Sequence, residues 1–513
     1  MEVFEKTYIG YVTTGSFGEG ISFKLNNDVN PENVKIGDFV IVEGTNFDFL
    51  CIIDDIRLKA TTEGVIFNPP EDNIERKAFS SFAYSEISIT PYLMFHKGEN
   101  LGTSTVKTLP AHFSKVRRVN ATDFERIVPG KASFFIGTPL TSDERLYIDL
   151  EKLSMRNTGL FGITGSGKSF LARIVFAGLI KKHIASILIF DMHNEHGKFT
   201  ESENGKMESL ASLFPDRVSI YDVSPENKSS TSFITIPYSY VEVEDIALVS
   251  DLLEFSERSQ ETLEIVSSRE EHWLSYLLNE YPAKDQKERE KEAERLEVNF
   301  SSIEALSRHL KRLKKLDYLR NTSEESAIDK IVADLQSGKS VVVQFSGPYR
   351  DDRLTYFFVS NVISRRIFTE FSLKEQKNNR VLIAIEEAHK FLSKQYQANN
   401  VFGKIAREMR KFNVTLFIID QRPSEIDTEV LSQIGTRLVM ELKDEKDISA
   451  VFQGSSHEQR LTKVLATLEQ GQALVFGFAV PFPMPINVRK YDKTFIKDVK
   501  EDFSSNNPID EVY

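Results

Sequence analysis

The stretch that decides the fold is GLFGITGSGKSFLARIVFAGLI, residues 159–180. It begins with an apolar run, continues through glycine and serine, and ends in residues typical of a buried helix. Its middle part, GITGSGKS, fits the pattern G-x-x-x-x-G-K-[ST] in full. Glycines let such a loop curl until its N–H groups face phosphates, and the positive end of the following helix points the same way. The stretch therefore predicts a strand, a phosphate-binding loop and a helix.

The residues of this loop suggest distinct roles. Lys168 offers a mobile cation to the β- and γ-phosphates, and Ser169 offers its hydroxyl to Mg²⁺. The alternative, a glycine-rich loop with no ligand, is disfavoured by the strand–loop–helix context. We expect ATP to be bound by Gly162, Thr164, Gly165, Ser166, Gly167, Lys168, Ser169 and Phe170.

Four further apolar runs follow the loop and end in polar residues. They read ASILIFDMH, SVVVQFSG, VLIAIEEAH and VTLFIIDQR, and helical segments separate them. Continuous apolar strands alternating with helices predict a parallel sheet covered on both faces, an α/β fold. The ligand of such a sheet lies beyond the carboxyl ends of the strands, where the polar residues gather.

The run VLIAIEEAH, residues 381–389, supplies two acids at that edge. We assign Glu386 to the Mg²⁺ shell, through water, and Glu387 to polarising the attacking water. Glu386 stands where Asp is usual and is one methylene longer. Alone, the run also fits a buried strand with two solvated acids; downstream of a phosphate loop, the metal and catalytic interpretation is favoured.

Two more candidates come from the last stretch of the core. Gln421, at the end of the strand VTLFIID, can sense the γ-phosphate through its amide, or it is a polar residue entering the turn before Pro423. Arg410, in IAREMRKF, can stabilise charge on the phosphoryl group of a neighbouring subunit, or it belongs to a basic surface.

The segment DMHNEHG, residues 191–197, gathers acids and histidines. By residue type it suggests a zinc site, but adjacent positions point in different directions and no cysteine accompanies them. We favour a polar strand end that lines the nucleotide site.

Composition and spacing divide the 513 residues into several units. Short apolar runs broken by turns predict a β-barrel at the N-terminus, and a Glu/Lys/Arg/Leu-rich part predicts a helical insertion. The charged run KDQKEREKEAERLE within the insertion is interpreted as a solvated helix face. The predicted units are a β-barrel over 1–115, an ATPase core over 116–240 and 336–485, the helical insertion over 241–335, and a C-terminal tail over 486–513 that is frayed or packs on a neighbouring subunit.

Charge and cysteine content exclude some classes of protein. A net charge of −12 argues against a surface that is basic overall, although a local basic channel stays compatible with it. The single cysteine, Cys51, excludes a disulfide framework within the chain. No signal peptide and no apolar run of about 20 residues is visible, so we expect a cytoplasmic protein without a membrane segment.

Taken in order, the blocks RNTGLFGITGSGKS, ILIFDMHNEHG, VLIAIEEAHKFLS, REMRKFNVTLFIIDQRPS and LEQGQALVFG resemble the HerA family, ring-shaped DNA translocases of the HerA/FtsK group. The resemblance covers nearly the whole chain, and the EEAH and REMRKF…QRPS blocks are its most specific parts. It implies a RecA-like core, a homohexamer with ATP and Mg²⁺ between subunits, and translocation on double-stranded DNA through a pore.

The resemblance also implies roles for single residues. Glu387 matches the catalytic acid, Gln421 the sensor and Arg410 the arginine supplied in trans. Arg156 matches an arginine that approaches the phosphates. The segment LSKQYQANN, residues 392–400, is our candidate for a DNA-contacting pore loop because it follows the acid pair.

Family members work with a partner nuclease of the NurA type in DNA end processing, or with another effector in anti-phage defence. The β-barrel is the docking surface that the resemblance implies. A second class of function stays open: a ring scaffold that binds ATP and organises an effector, with hydrolysis as a switch. A third, weaker possibility is a motor that acts on protein.

Overall fold

The computed structural model describes residues 8–60, 83–97, 102–127, 132–202, 205–227, 230–322, 326–373, 379–393, 400–454 and 458–501. The strands are β1 (Tyr8–Ser16), β2 (Gly20–Leu25), β3 (Phe39–Glu43), β4 (Phe47–Ala60), β5 (Ala83–His96), β6 (Thr103–Thr105), β7 (Lys115–Arg118), β8 (Ser133–Pro139), β9 (Leu146–Asp149), β10 (Asn157–Phe161), β11 (Ser186–Asp191), β12 (Phe199–Ser202), β13 (Gly205–Glu208), β14 (Val218–Asp222), β15 (Ser232–Phe233), β16 (Ile236–Pro237), β17 (Leu319–Arg320), β18 (Ser340–Gln344), β19 (Val381–Glu386), β20 (Val414–Asp420), β21 (Ile434–Val439), β22 (Gln472–Gly477) and β23 (Met484–Val488).

The helices are α1 (Ala121–Glu125), α2 (Leu150–Met155), α3 (Lys168–Lys181), α4 (Leu210–Leu213), α5 (Val243–Leu248), α6 (Glu257–Arg269), α7 (Trp273–Ser275), α8 (Tyr281–Ala283), α9 (Gln286–Arg295), α10 (Phe300–Leu310), α11 (Ala327–Gln336), α12 (Arg353–Leu373), α13 (His389–Leu392), α14 (Val401–Glu408), α15 (Thr428–Ser432), α16 (Glu445–Phe452), α17 (Glu458–Ala466) and α18 (Lys493–Glu501). None of these helices is long and apolar enough to cross a bilayer, within the ranges that the structure describes.

The N-terminal strands form a closed antiparallel barrel, as predicted. They pair in the order β2-β1-β7-β3-β4-β5, and β5 closes the barrel by pairing with β2. Alternate side chains point inward, and Phe23, Phe49 and Val116 are buried in its centre. Since β7 ends at Arg118 and pairs with β1 and β3, the barrel extends past the boundary predicted at residue 115.

The central sheet confirms the predicted α/β core of RecA-like type. Its strands run β15-β14-β18-β11-β19-β20-β10-β21-β22-β23-β8-β9, and the pairs from β15 to β21 are parallel. Every residue of β11, β19 and β20 is buried, because helices cover both faces. The five apolar runs singled out in the sequence are β10, β11, β18, β19 and β20.

The far side of the sheet was not predicted. β22, β23, β8 and β9 continue it by antiparallel pairing after β21. The predicted tail therefore begins inside a strand, since β23 spans Met484–Val488. Helix α18 follows, and its Phe495 and Val499 are buried against the core. The remainder of the predicted tail, 502–513, lies outside the described residues.

The insertion is helical, as predicted, and runs from α5 to α11 with one short strand pair, β16 with β17. Its charged run forms α9, where Asp285 and Glu288 build a capping box at the N-terminus. Only Ala293 of α9 is buried, which agrees with a solvated helix.

The barrel packs directly on the core. The Phe39 ring lies edge-on to Phe482 with a centroid distance of 5.6 Å. The Thr141 hydroxyl donates to Asp38 of the barrel at 2.8 Å. Burial raises the pKa of Asp38. Both contacts join the barrel to the antiparallel side of the sheet.

Candidate nucleotide-binding site

The carboxyl ends of β10, β11, β19 and β20 meet at one edge of the sheet. A cleft of ≈ 340 Å³ opens there between the loop after β10 and the ends of the other strands. It is lined by Thr164, Gly165, Gly167, Lys168, Ser169, Phe170, Arg173, His193, Glu195, Glu386, Glu387, Ile419, Asp420 and Gln421. The predicted loop, both acids of the predicted pair and the predicted sensor amide thus share one cleft.

The loop after β10 has the backbone that its glycines allow. Gly165 and Gly167 have φ values of +81° and +110°, a region that side-chain-bearing residues avoid. Helix α3 begins at Lys168, so its positive end faces the cleft. The Lys168 ammonium donates to the carbonyls of Gly162 and Ile163 at 2.8 and 2.9 Å. Burial lowers the pKa of Lys168, and nearby carboxylates, Asp420 foremost, oppose that shift.

Glu387 is held in a strained conformation at the mouth of the cleft. Its φ is +51°, which costs a non-glycine residue about 1 kcal/mol and is found where surrounding structure enforces it. The Gln421 amide donates to Glu387 at 3.2 Å, and the Thr164 hydroxyl donates to the Gln421 carbonyl oxygen at 2.7 Å. Gln421 therefore connects the phosphate loop to the acid.

Glu386 lies deeper than Glu387. It is 8% exposed, and one carboxylate oxygen lies 3.4 Å from the His196 Nε2. The other oxygen, Oε2, is buried without a hydrogen-bond partner in the structure. A buried, unpartnered carboxylate oxygen that shares the cleft with Ser169 fits the oxygen ligands that Mg²⁺ prefers, directly or through water.

The segment DMHNEHG forms a polar strand end, as favoured in the sequence analysis. Asp191 accepts the backbone N–H groups of Glu195 and His196 at 2.8 Å each. Burial, and then Glu386, raise the pKa of Asp191. His193 lines the cleft, and its Nδ1 lies 3.4 Å from the Asp351 carboxylate. Within the described residues, no three His, Cys, Asp or Glu side chains are arranged to hold a metal ion.

The cleft contains an arginine that the sequence analysis missed. Arg173 of α3 is 1% exposed and donates to Glu195 at 3.2 Å. Its guanidinium lies over the rings of Phe170 and Tyr491, at 4.7 and 5.4 Å. Burial opposes the charge of Glu195, but Arg173 and Ser169 outweigh it and lower the pKa of that carboxyl. The signal in the sequence was a lone charge inside the apolar helix FLARIVFAGLI.

His389 and Asp420 form a second pair that was missed. The His389 backbone N–H donates to Asp420 at 2.6 Å, and its ring Nδ1 lies 3.0 Å from the same carboxylate. Burial disfavours the imidazolium, but Asp420, Glu387 and Glu425 outweigh burial and raise the pKa of His389. Because β19 and β20 are adjacent, His389, which follows EEA in the sequence, lies beside Asp420 at the end of β20.

The predicted arginines lie at the opposite edge of the sheet. Arg156 and Arg410 line a separate cleft of ≈ 170 Å³, together with Arg380. Arg156 immediately precedes β10, whose five residues span about 17 Å before the phosphate loop begins. Arg156 therefore lies a strand length away from the phosphate loop of its own chain, and its predicted approach to the phosphates stays a prediction.

This cleft, which we call the arginine cleft, is electrostatically unbalanced. Among the described residues its lining is Ser154, Met155, Arg156, Arg380, Arg410, Asn413, Thr415 and Phe478, and none of these carries a carboxylate. Arg380 donates to the Ser154 hydroxyl at 3.0 Å, and the Arg156 guanidinium lies 4.4 Å from the Phe478 ring centroid. Arg380 was missed in the sequence, although it precedes the strand β19 as Arg156 precedes β10.

The candidate pore loop cannot be placed. Of residues 392–400, those from 394 to 399 lie outside the described residues. Leu392 is buried at the end of α13, and Asn400 begins α14 as its N-terminal cap.

Several known proteins are similar to this chain in sequence. Residues 134–367 match the sequence family described as "Helicase HerA, central domain". The chain is 28% identical over 404 residues to a probable DNA double-strand break repair helicase HerA of Methanocaldococcus jannaschii, covering 70% of this chain and 77% of the relative. It is 22% identical over 517 residues to the DNA double-strand break repair helicase HerA of Pyrococcus furiosus, covering 92% and 91%.

Among solved structures, VirB4 of Thermoanaerobacter pseudethanolicus superposes with a TM-score of 0.48 at 14% identity, over 72% of this chain and 99% of that chain. The bacterial conjugative coupling protein TrwB superposes with a TM-score of 0.47 at 14% identity, over 72% and 93%.

Proposed function

We propose that this chain, a HerA-type P-loop ATPase, assembles as a homohexameric ring and uses ATP hydrolysis to move along double-stranded DNA. The observation that carries the proposal is the separation of two half-sites. The phosphate loop and the acids lie at one edge of the sheet, and three arginines lie at the other.

One chain alone does not bring these half-sites together. In a head-to-tail ring, one edge of each subunit faces the opposite edge of the next, which is a heterologous and closed interface. The arginine cleft of one subunit would then meet the nucleotide of its neighbour. Met155 and Phe478, which flank the cleft, are 36% and 37% exposed, and such side chains suit an interface.

The residues of the nucleotide cleft have separate roles in this proposal. The Gly162–Ser169 loop and Lys168 would hold the phosphates, while Ser169 and Glu386 would hold Mg²⁺. When bound, Mg²⁺ neutralises charge on the β- and γ-phosphates. Glu387 accepts a proton from the attacking water, and its strained backbone fixes the carboxylate at the mouth of the cleft. Gln421 lies between Thr164 and Glu387, where it would detect whether the γ-phosphate is present.

Arg410 acts in trans on charge that develops during phosphoryl transfer, with Arg156 and Arg380 beside it. Three guanidinium groups without a carboxylate in their cleft repel one another. An incoming triphosphate would relieve that repulsion, so ligand binding would also stabilise the subunit interface.

Double-stranded DNA is proposed as the track because the relatives are named as DNA double-strand break repair helicases. A motor that passes every sequence has to contact the backbone, and such binding weakens steeply with salt. With a net charge of −12, the contacts have to come from a local basic surface.

The test is the rate of phosphate release with and without duplex DNA of random sequence. The motor proposal expects stimulation by duplex that is insensitive to sequence and falls as salt rises. ATP hydrolysis that ignores duplex would favour the alternative, a ring scaffold in which hydrolysis is a switch. Stimulation by polypeptide instead would indicate a motor that acts on protein.

The barrel is the proposed docking surface for a partner nuclease, NurA-like, or another effector. Phe17, Leu58 and Phe113 on the barrel are 64%, 81% and 75% exposed. Exposed apolar side chains of this size are typical of contact surfaces. Replacing Phe17 and Leu58 by serine should abolish co-purification with the proposed partner nuclease and leave ATP hydrolysis unchanged. Retained co-purification would place the partner elsewhere.

A further inference from the structure

A turn that lies more than 300 residues later in the chain forms two hydrogen bonds to the phosphate loop, which we call the grip. The Gln470 amide donates to the Gly165 carbonyl at 2.9 Å. The Gly471 backbone N–H donates to the Ser166 carbonyl at 3.2 Å. Two successive carbonyls of the loop therefore accept hydrogen bonds from this turn.

The bond from Gly471 sets the direction of one N–H group of the loop, that of Gly167, whereas the Ser166 N–H donates within the loop to the Ile163 carbonyl at 3.3 Å. In a planar trans peptide, the carbonyl of one residue and the N–H of the next point in opposite directions. Fixing the Ser166 carbonyl against Gly471 therefore directs the Gly167 N–H the other way, and Gly167 lines the nucleotide cleft. Preorganised N–H groups are what such a loop offers to phosphate.

The gripping turn is itself held in place. Gly471 has a φ of +82°, and its carbonyl accepts the Val488 N–H of β23 at 2.9 Å. The Glu469 N–H donates to the Gln472 side chain at 2.9 Å. The turn is thus attached to the central sheet on one side and to the phosphate loop on the other.

Helix α17, which ends four residues before Gln470, extends to the barrel. Arg460 donates to the Thr90 hydroxyl at 3.0 Å and to the Gly18 carbonyl. Lys463 pairs with Asp55 of the barrel at 2.9 Å. Leu461, Val464 and Leu465 of α17 are buried, and Val464 lies beside Gly37 of the N-terminal region. One short helix thus contacts the barrel and continues directly into the turn that grips the phosphate loop.

We propose that Gln470 is a positioning residue for the phosphate loop, and that α17 connects it to the barrel so that events on the barrel change nucleotide affinity. The inference rests on the proposed function only in that the cleft binds ATP. It requires neither DNA nor a ring that moves. A partner seated on the barrel would tilt α17 and thereby tighten or loosen the grip on Gly165.

The first test measures equilibrium binding of fluorescently labelled ATP with Mg²⁺, without DNA. Gln470→Ala should raise the Kd about threefold to tenfold, the worth of one neutral hydrogen bond. In steady state it should raise KM with little change in kcat, because the acids and arginines are untouched. Glu469→Gln is the matched control, since the described residues offer its side chain no hydrogen bond or ion pair, and it should bind like the wild type.

The second test is a double-mutant cycle between the barrel contact and the grip. Residues without shared partners give effects that multiply. If α17 transmits the barrel contact through Gln470, Arg460→Ala should raise the Kd about twofold in the wild-type background and leave it unchanged in the Gln470→Ala background. Lys463→Ala offers a second barrel variant if Arg460→Ala melts at a lower temperature.

Three results would overturn the proposal. One is a Gln470→Ala variant that binds labelled ATP as the wild type does. Another is a cycle in which the two effects simply multiply, which would make the barrel contact and the grip independent. The third is an equal loss for Glu469→Gln, which would show general damage to the turn. A lack of DNA stimulation would count against the translocase proposal and leave this one standing.

Discussion

The two edges of the central sheet differ in how their charges are matched. At the carboxyl edge, basic and acidic groups alternate in one cleft, and Arg173 pairs with Glu195 while Gln421 bridges Thr164 and Glu387. At the amino edge, the arginine cleft contains three guanidinium groups and no carboxylate. The first edge presents the groups that the proposal assigns to holding and cleaving a nucleotide, and the second presents the arginines that it assigns to the nucleotide of a neighbouring subunit.

In the proposed ring, neither edge is by itself the complete site. A cleft that collects like charges is unfavourable in an isolated chain and becomes favourable when an anion enters it. The same chain supplies the triphosphate site at its other edge. Substitutions at the two edges should therefore fail in different ways, and the following predictions use that difference.

The largest effect is expected at the amino edge. Arg410→Ala should lower ATP turnover by about 10³-fold, the scale of a removed trans arginine. Because Arg410 lies far from its own chain's phosphate loop, binding of labelled ATP to the isolated subunit should be unchanged. Phosphate release and equilibrium binding measure the two quantities.

Arg407→Ala is the matched control for that variant. Arg407 lies on α14 three residues earlier and pairs with Glu429 at 3.5 Å. It should keep turnover within about threefold of the wild type, since an exposed ion pair contributes little. Equal losses for Arg407→Ala and Arg410→Ala would mean that the basic segment is only structural.

At the carboxyl edge, Glu387→Gln should lower turnover by about 10²- to 10⁴-fold and preserve nucleotide binding. The amide keeps the size of the side chain and loses the charge that accepts a proton. Glu370→Gln, a surface acid on α12 that pairs with Arg366, serves as control. Near-normal turnover of Glu387→Gln would remove this residue from the mechanism.

A smaller effect is expected for the arginine missed in the sequence. Arg380→Gln should lower turnover about tenfold, since it removes one charge from a cleft that keeps Arg156 and Arg410. In a chain that already carries Arg410→Ala, Arg380→Gln should cause no further loss of turnover, because Arg380 and Arg410 would act on the same phosphoryl group. Independent, multiplying losses in phosphate release would separate Arg380 from the arginine site.

The smallest effect concerns pH and stability. Because its carboxylate neighbours raise the pKa of His389 above the usual 6.5, its protonated form stabilises the fold below about pH 6.5, and this contribution is lost as pH rises through the raised pKa. Wild type should exceed His389→Asn in free energy of unfolding by about 1 kcal/mol at pH 6, and by less at pH 8.5. A constant difference across this range, by denaturant titration, would contradict the protonated pair.

The sequence was most informative where function is encoded in a contiguous stretch. The phosphate loop and the acids Glu386 and Glu387 follow apolar strands directly, so strand ends placed them correctly. Arg156 was matched to an arginine that approaches the phosphates, and the match did not indicate whether those phosphates belong to the same subunit or to a neighbour. In the structure, β10 separates Arg156 from the phosphate loop of its own chain by the length of a strand. A sequence pattern does not state such a distance.

The parts that escaped prediction depend on contacts between distant segments. The hydrogen bond from Gln470 to Gly165 joins residues that are 305 positions apart, and no local sequence pattern predicts such a contact. The antiparallel side of the sheet joins β8 to β23, which lie at opposite ends of the core sequence. Arg380 and Arg173 each carried a local signal, a charge beside or within an apolar run, that is visible once the fold is known.

The most direct test of the two-edge account is a mixture of two inactive variants. Arg410→Ala subunits keep Lys168, and Lys168→Ala subunits keep Arg410. If the edges complete each other across a ring, random exchange at equal amounts makes about a quarter of the interfaces whole. The account predicts that ATP hydrolysis returns on mixing. No recovery, with subunit exchange confirmed and with wild-type subunits at the same dilution still active, would contradict it.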